Sequence, residues 1–63
     1  MATERTCEFE LYEDTGGSWR WRLRDTNGRV IADSAEGYGS RDAAEDGIRN
    51  VRECAGSADV VDG

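Results

Sequence analysis

Two short stretches of strict alternation constrain this chain more than any other feature. Cys7, Phe9 and Leu11 fall on one face of the first, with Glu8, Glu10 and Tyr12 on the other. In the second, Trp19, Trp21 and Leu23 alternate with Arg20, Arg22 and Arg24. A period of two marks a strand with one buried face. The intervening Asp14-Thr15-Gly16-Gly17-Ser18 is turn chemistry, because glycine reaches the positive φ of a hairpin without steric cost. Face matching then limits the register, since a slip of one residue exchanges the two faces. A three-residue loop, Thr15-Gly16-Gly17, sets Leu11 opposite Trp21, Phe9 opposite Leu23 and Glu10 opposite Arg22. A five-residue loop also keeps the faces matched. Either way a row of acids faces a row of arginines.

A second hairpin turn is signalled by Asn27-Gly28, followed by a strand over Arg29 to Ser34. Val30 and Ile31 are adjacent and point to opposite faces of it, so one of them shares the arginine face. Ala35 to Gly39 reads as a loop with two glycines around Tyr38. Ser40 is a good N-cap, and Asp42 in the first turn suits the helix dipole. The helix is expected over Arg41 to about Ala55, with Ala44, Gly47, Ile48, Val51 and Ala55 inward and Arg41, Asp42, Glu45, Arg49 and Arg52 outward. Gly47 costs up to ~1 kcal/mol against alanine inside a helix. On the inward face it points to close approach of a neighbouring ring, such as a tryptophan. Gly56 is expected to stop the helix, and Val60-Val61 suffice for a short further strand. The fold class is therefore α+β: a three-stranded antiparallel meander followed by one helix, β-β-β-α with a possible short C-terminal strand. It forms a single domain over residues 7–63 behind a disordered stretch, residues 1–6.

With 63 residues, such a chain buries only ~60% of its unfolded surface, and its unaided stability is marginal. Here the helix offers mostly small side chains, Ala43, Ala44, Gly47, Ile48 and Val51, to cover two tryptophans, Phe9 and Leu23. Small domains commonly complete an inadequate core by oligomerising, and a two-fold dimer is the commonest closed arrangement. A homodimer is expected, either through edge strands or through the Val60-Val61 tail added to the partner's sheet.

Fourteen acidic residues stand against eight basic ones, a net charge of −6, and every base is arginine. A GC-rich genome favours arginine over lysine codons. Life in molar salt gives the same bias, because carboxylates hold hydration there and long-stemmed lysine is avoided. Such a surface repels itself at low salt, as the screening length grows from ~3 Å at 1 M to ~10 Å at 0.1 M. The charge points to a halophilic source. It also disfavours nucleic acid, whose binding rests on a basic patch and counterion release.

Chemistry-bearing residues are few. No histidine is present, which removes the usual neutral-pH base and commonest metal ligand. Two cysteines cannot build a structural zinc site. No nucleophile-base pair, persuasive acid-base pair of carboxylates or calcium loop is recognisable. The expectation is a non-enzymatic protein with no catalytic, cofactor-binding or metal residues. No apolar run approaches the ~20 residues of a membrane span, and no basic-plus-apolar leader opens the chain, so a cytoplasmic location is expected.

One combination of motifs is distinctive. Phe9-Glu10-Leu11-Tyr12 is followed by Trp19-Arg20-Trp21-Arg22-Leu23, the Asn27-Gly28 turn, Val30-Ile31-Ala32 and Ser34-Ala35-Glu36-Gly37-Tyr38. Ser40, Ala43-Ala44, Gly47-Ile48 and Val51 complete the set. Together they resemble the YegP-like family, the domain of unknown function numbered 1508, over Cys7 to Ala55. The resemblance implies a β-β-β-α unit found as tandem repeats or as a single repeat that dimerises. It implies no activity and no catalytic residue. The tryptophan pair, where the family more often has smaller aromatics, and the missing lysines depart from its pattern and put any shared ligand in doubt.

Candidate interface or ligand-loop residues are Tyr12, Trp19, Trp21, Arg22, Ile31, Glu36, Gly37 and Tyr38. In the Glu36-Gly37-Tyr38 loop, glycine lets backbone approach a ligand and the helix N-terminus after Ser40 could receive an anion. The competing reading is that Tyr38 packs over the sheet edge and its glycines shape the turn. The Arg20/Arg22/Arg24 row beside Trp19 and Trp21 is similar to a sheet that stacks single strands, yet alternation puts rings and guanidiniums on opposite faces. A structural ladder neutralised by Glu8 and Glu10 is the stronger reading. Cys7 and Cys54 are expected on core-facing positions as a reduced pair, with a disulfide as the alternative. The chain thus reads as a homodimeric interaction module with an accessory or stress-related role. The alternatives are a nucleic-acid binder using the arginine row and a small-ligand binder at the Glu36-Gly37-Tyr38 loop.

Overall fold

The three strands of the predicted meander form, and the first hairpin takes the tighter of its two allowed registers. The computed structural model describes residues 6–63, so most of the expected disordered stretch at residues 1–6 lies outside the described residues. Strands β1 (Glu8–Glu13), β2 (Trp19–Arg24) and β3 (Val30–Asp33) make an antiparallel sheet in the order β1-β2-β3. Leu11 stands opposite Trp21, Phe9 opposite Leu23 and Glu10 opposite Arg22, which is the three-residue-loop register.

Both hairpin turns are built alike. In the first, the Asp14 carboxylate accepts from the amides of Gly16 and Ser18, and the Gly17 amide donates to the Asp14 carbonyl. In the second, the Asp25 carboxylate accepts from Asn27 and Arg29, and the Gly28 amide donates to the Asp25 carbonyl. Gly17 and Gly28 sit at φ 88° and 86°, where a side chain is strained. The loop of the second hairpin is therefore Thr26-Asn27-Gly28, one residue longer than Asn27-Gly28 alone.

The adjacent Val30 and Ile31 break the alternation through a bulge. Arg24 pairs with Val30 but Leu23 with Ala32, which leaves Ile31 as the extra residue. All of β3 is exposed, Val30 at 49% and Ile31 at 55%, because the helix packs on β1 and β2 and makes no contact with β3. Beyond β3, the Ser34 amide donates to the Trp21 carbonyl, and the chain returns to β2 where Tyr38 and Trp19 exchange backbone hydrogen bonds of 2.8 and 2.9 Å. The short excursion between them passes through Ala35, left-handed at φ 65°.

Helix α1 spans Arg41–Cys54. The Ser40 hydroxyl caps it by accepting from the Ala43 amide at 3.1 Å. Ala44 is fully buried on its inner face, and Trp21, 5% exposed, fills the centre of the sheet below. Phe9 meets the Trp21 ring edge-on at 5.5 Å. Gly47 lies where the helix comes closest: a Cβ there would stand 2.5 Å from the Tyr38 hydroxyl and 3.3 Å from Trp21 Nε1. The expected close approach is present, with Tyr38 rather than a tryptophan as nearest neighbour.

Helix α1 ends at Cys54 with Ala55 as its C-cap, just before Gly56 as expected, and the chain leaves it through a single 3-10 turn, Ala55–Ser57. Two expectations are corrected. Val60 and Val61 form no strand and are 98% and 80% exposed, since no described part of this chain packs against them. Cys7 and Cys54 are both exposed, free thiols instead of a buried pair. Cys7 precedes β1, and Cys54 closes α1 with its Sγ 3.6 Å from Asn50 Oδ1.

Candidate functional site

Five of the eight candidate residues divide between the two faces of the sheet, while Ile31 lies on the β3 bulge and Glu36 and Gly37 in the loop that follows. On the face away from the helix, β1 and β2 set acids against arginines. The Arg22 Nε donates to Glu10 Oε1 at 2.7 Å, and Arg24 donates to the same oxygen from Nη2 at 2.9 Å and Nε at 3.1 Å. Arg20 Nε reaches Asp14 Oδ2 at 2.6 Å. The expected ladder is present, but Asp14 from the turn takes the place foreseen for Glu8. Glu8 lies opposite Arg24, whose guanidinium instead engages Glu10 and the Gly28 carbonyl. The Arg22 guanidinium also lies over the Tyr12 ring at 4.4 Å, a cation–π contact that fixes both side chains. Ile31 adds exposed apolar surface on the adjacent β3 bulge.

These pairs shift the carboxyls in a defined direction. Hydrogen bonds from Arg22 and then Arg24 hold Glu10 below its ordinary value of 4.5. The Arg20 hydrogen bond, followed by the Ser18 amide, holds Asp14 below its ordinary 3.8. Both carboxyls are thus more acidic folded than unfolded, so the unfolded chain takes up protons first as pH falls. Their stabilising contribution is complete above the ordinary values and is lost as pH drops through the lower folded ones. Thermal midpoints at 0.3 M KCl are accordingly expected to decline below about pH 4.5. Glu10→Gln should flatten that decline, and the difference should shrink in 2 M KCl, where exposed pairs are screened. Identical acid limbs for both proteins at 0.3 M would contradict the assignment.

On the helix side, Trp19 and Trp21 sit below α1, with the Arg41 guanidinium 5.7 Å from the Trp19 ring. Tyr38 is half-buried and fills the space beside Gly47. Gly37 lets the loop touch the start of β2, since a Cβ there would fall 2.6 Å from that of Ser18. Both residues therefore have packing partners, whereas Glu36 is exposed. The structure brings Tyr12 and Arg22 together on one face and Trp19, Trp21 and Tyr38 on the other. Sequence reasoning missed Ser34, whose hydroxyl bonds the Trp21 amide at 3.4 Å and the Glu36 carbonyl at 3.0 Å. It also missed a groove of about 570 Å³ along α1, lined by Glu45, Ile48, Arg49, Arg52 and Glu53. Among the described residues, no group of three histidine, cysteine or acidic side chains could hold a metal ion. None of the described helices is long and apolar enough to cross a membrane.

Comparison with known proteins agrees with this architecture. A protein of the UPF0339 group from Methanosarcina acetivorans is 44% identical over 54 residues, covering 86% of this chain and 91% of that one. The solution structure of a Haloferax volcanii protein superposes with a TM-score of 0.87 at 40% identity, covering 95% of this chain and all of the other. One from Agrobacterium tumefaciens gives 0.75 at 33% identity, with 90% of each chain covered. The family model described as a domain of unknown function, DUF1508, matches residues 14–62. By sequence and fold alike, the chain belongs to the DUF1508 family, which is the YegP-like family of its motifs.

Proposed function

We propose that this chain is a non-enzymatic module that works as a homodimer in molar salt, in the cytoplasm, and acts by binding other proteins in an accessory role. The observation that carries the reading is the size of the core. Trp21 and Ala44 are the buried apolar residues, while Val30, Ile31, Val60 and Val61 stay exposed. A second copy supplies the missing apolar cover, as oligomerisation does for other small scaffolds. Strand β1 offers the place: it runs unbroken for six residues at the edge of the sheet. The opposite edge is blunted by the Ile31 bulge and the Ser34 excursion, as protected edges are. Val60-Val61 of one copy supplies the strand that β1 of the other lacks, in the manner of strand addition.

The outer face carrying Tyr12 and Arg22, with Ile31 exposed on the neighbouring β3 bulge, is the surface offered to partner proteins, since aromatic and arginine side chains are favoured at interface centres. Nucleic acid fits it poorly, because Arg20, Arg22 and Arg24 are already engaged by Asp14 and Glu10 and the Trp21 ring is buried. Affinity capture from a halophile lysate in 2 M KCl should recover a stoichiometric partner, and Tyr12→Ala with Arg22→Ala should lose it. A clean lane with the unaltered chain would contradict the reading.

A further inference from the structure

Seven arginines lie among the described residues, and six of them make ion pairs: Arg20, Arg22, Arg24, Arg29, Arg41 and Arg49. Arg52 makes none. It lies in the last turn of α1, where the helix dipole favours a cation. The dipole does not explain why this cation borders a groove with the apolar side chain of Ile48. Glu45, Ile48 and Arg52 follow one another at i, i+3 and i+7, so they share one flank of the helix. Gly47, against Tyr38, belongs to the opposite flank. Tyr38 is on the β3 side of β2, so this flank turns away from it, and every residue lining the groove belongs to α1.

That flank is complementary to itself. In an antiparallel pair of α1 helices with a two-fold axis between Ile48 and Arg49, Glu45 of each copy faces Arg52 of the other. The two Ile48 side chains then meet beside the axis. Arg49, which also lies next to the axis, is already neutralised by Asp46 at 2.7 Å, and Glu45 shares its carboxylate between Arg41 of its own helix, 3.2 Å away, and Arg52 of the other copy. An isologous interface requires this reciprocity, in which residue i meets j and j meets i. Helices pack at separations of 8–10 Å, close enough to fill a groove of this kind with the facing side chains.

We propose that the Glu45–Ile48–Arg52 flank of α1 is the helix–helix seam of the homodimer, closed by two reciprocal Glu45–Arg52 pairs. This rests on the homodimer reading and adds to it the orientation of the copies and the residues that fix it.

The test is a charge-reversal cycle read by sedimentation equilibrium in 1 M KCl, with helical circular dichroism checked for every variant. R52E and E45R each set like charges opposite one another at two symmetric places, and each is expected to weaken the dimer about tenfold or more. The double variant E45R/R52E should recover most of that loss, because it restores both attractions across the seam while giving up the Arg41–Glu45 pair within each helix. A second readout does not depend on charge. In a C7S/C54S background, I48C is expected to oxidise to a covalent dimer, whereas N50C on the far flank is not. A dimer that ignores the single reversals, or a double variant as weak as the singles combined, would overturn the seam and leave the homodimer standing. An unaltered chain that sediments as a monomer would overturn both.

Discussion

Trp21→Ala is expected to leave the chain unfolded at 25 °C. Trp21 is the large side chain at the centre of the core, 5% exposed, between Phe9 and the helix. Truncating a buried aromatic to alanine costs about 3–5 kcal/mol. A single core in a domain of this size supplies about the same amount, so nothing remains to hold the fold. Residual structure should then appear only at high protein concentration, where association adds stability by mass action. Trp21→Phe is expected to behave differently. It keeps an aromatic against Phe9 and removes the Nε1 hydrogen, which is buried without an acceptor at a cost of about 1–3 kcal/mol. That relief offsets the smaller ring, so its stability should stay within about 1 kcal/mol of the unaltered chain. Thermal melts followed by circular dichroism decide both cases. A cooperative melt of Trp21→Ala near the normal midpoint would refute this picture of the core.

Gly47→Ala is expected to destabilise, although helix propensity alone argues the reverse. Alanine inside a helix is favoured over glycine by about 1 kcal/mol. Here the added carbon would stand 2.5 Å from the Tyr38 hydroxyl, 2.9 Å from its Cζ and 3.3 Å from Trp21 Nε1. The first two distances are shorter than real contacts, and Tyr38 has little room to yield because its backbone is bonded to Trp19. Overpacking of this kind costs about 1–3 kcal/mol, so the clash wins. The midpoint should fall by about 5–10 °C, given 4–8 °C per kcal/mol in small domains. Gly56→Ala is the control, since nothing lies within 4 Å of a Cβ there, and it should melt at or slightly above the normal midpoint. Tyr38→Phe should recover part of the loss by deleting the nearest atom. A rise in midpoint for Gly47→Ala matching that of Gly56→Ala would contradict the close approach.

Gly47 also shows how far this fold is legible in its sequence. An interior glycine on the inward stripe of an amphipathic helix announces a near neighbour, but nothing local distinguishes Tyr38 from a tryptophan as that neighbour. The first hairpin was readable down to two registers, because alternation on both strands and the glycine pair allow a loop of three or five residues; the Asp14 carboxylate, which accepts from the Gly16 and Ser18 amides, goes with the tighter one. Ile31 was not. Two adjacent β-branched residues satisfy a strand equally well with either one as the extra residue, and the bulge is settled by pairing with β2. The length of the second turn was readable from a signal left unused: Asp14-Thr15-Gly16-Gly17 and Asp25-Thr26-Asn27-Gly28 share one pattern, and one loop type follows from it.

The candidate site was legible where it depends on alternation and obscure where it depends on the third dimension. Opposition of Glu10 to Arg22 follows from the register, and so does the separation of the arginines from the tryptophans. That Arg20 turns to Asp14 depends on how the turn carboxylate is aimed, which no periodicity records. Cys7 and Cys54 kept the periodicity of inward positions but lie at element ends, where no second layer exists to cover them. The Val60-Val61 pair reads as strand material and finds no strand to join within its own chain. That mismatch between local preference and surroundings is what the proposed homodimer resolves.

The most direct test is absolute mass in solution, by light scattering behind a sizing column in 2 M KCl and again in 0.1 M. A mass twice that of the 6.9 kDa chain is expected at 2 M. At 0.1 M the dimer should weaken as repulsion among the excess carboxylates is unscreened. A chain ending at Ala58, without the valine pair, should be monomeric at both. A single-chain mass for the intact protein at both salts would contradict the claim that a second copy completes this fold.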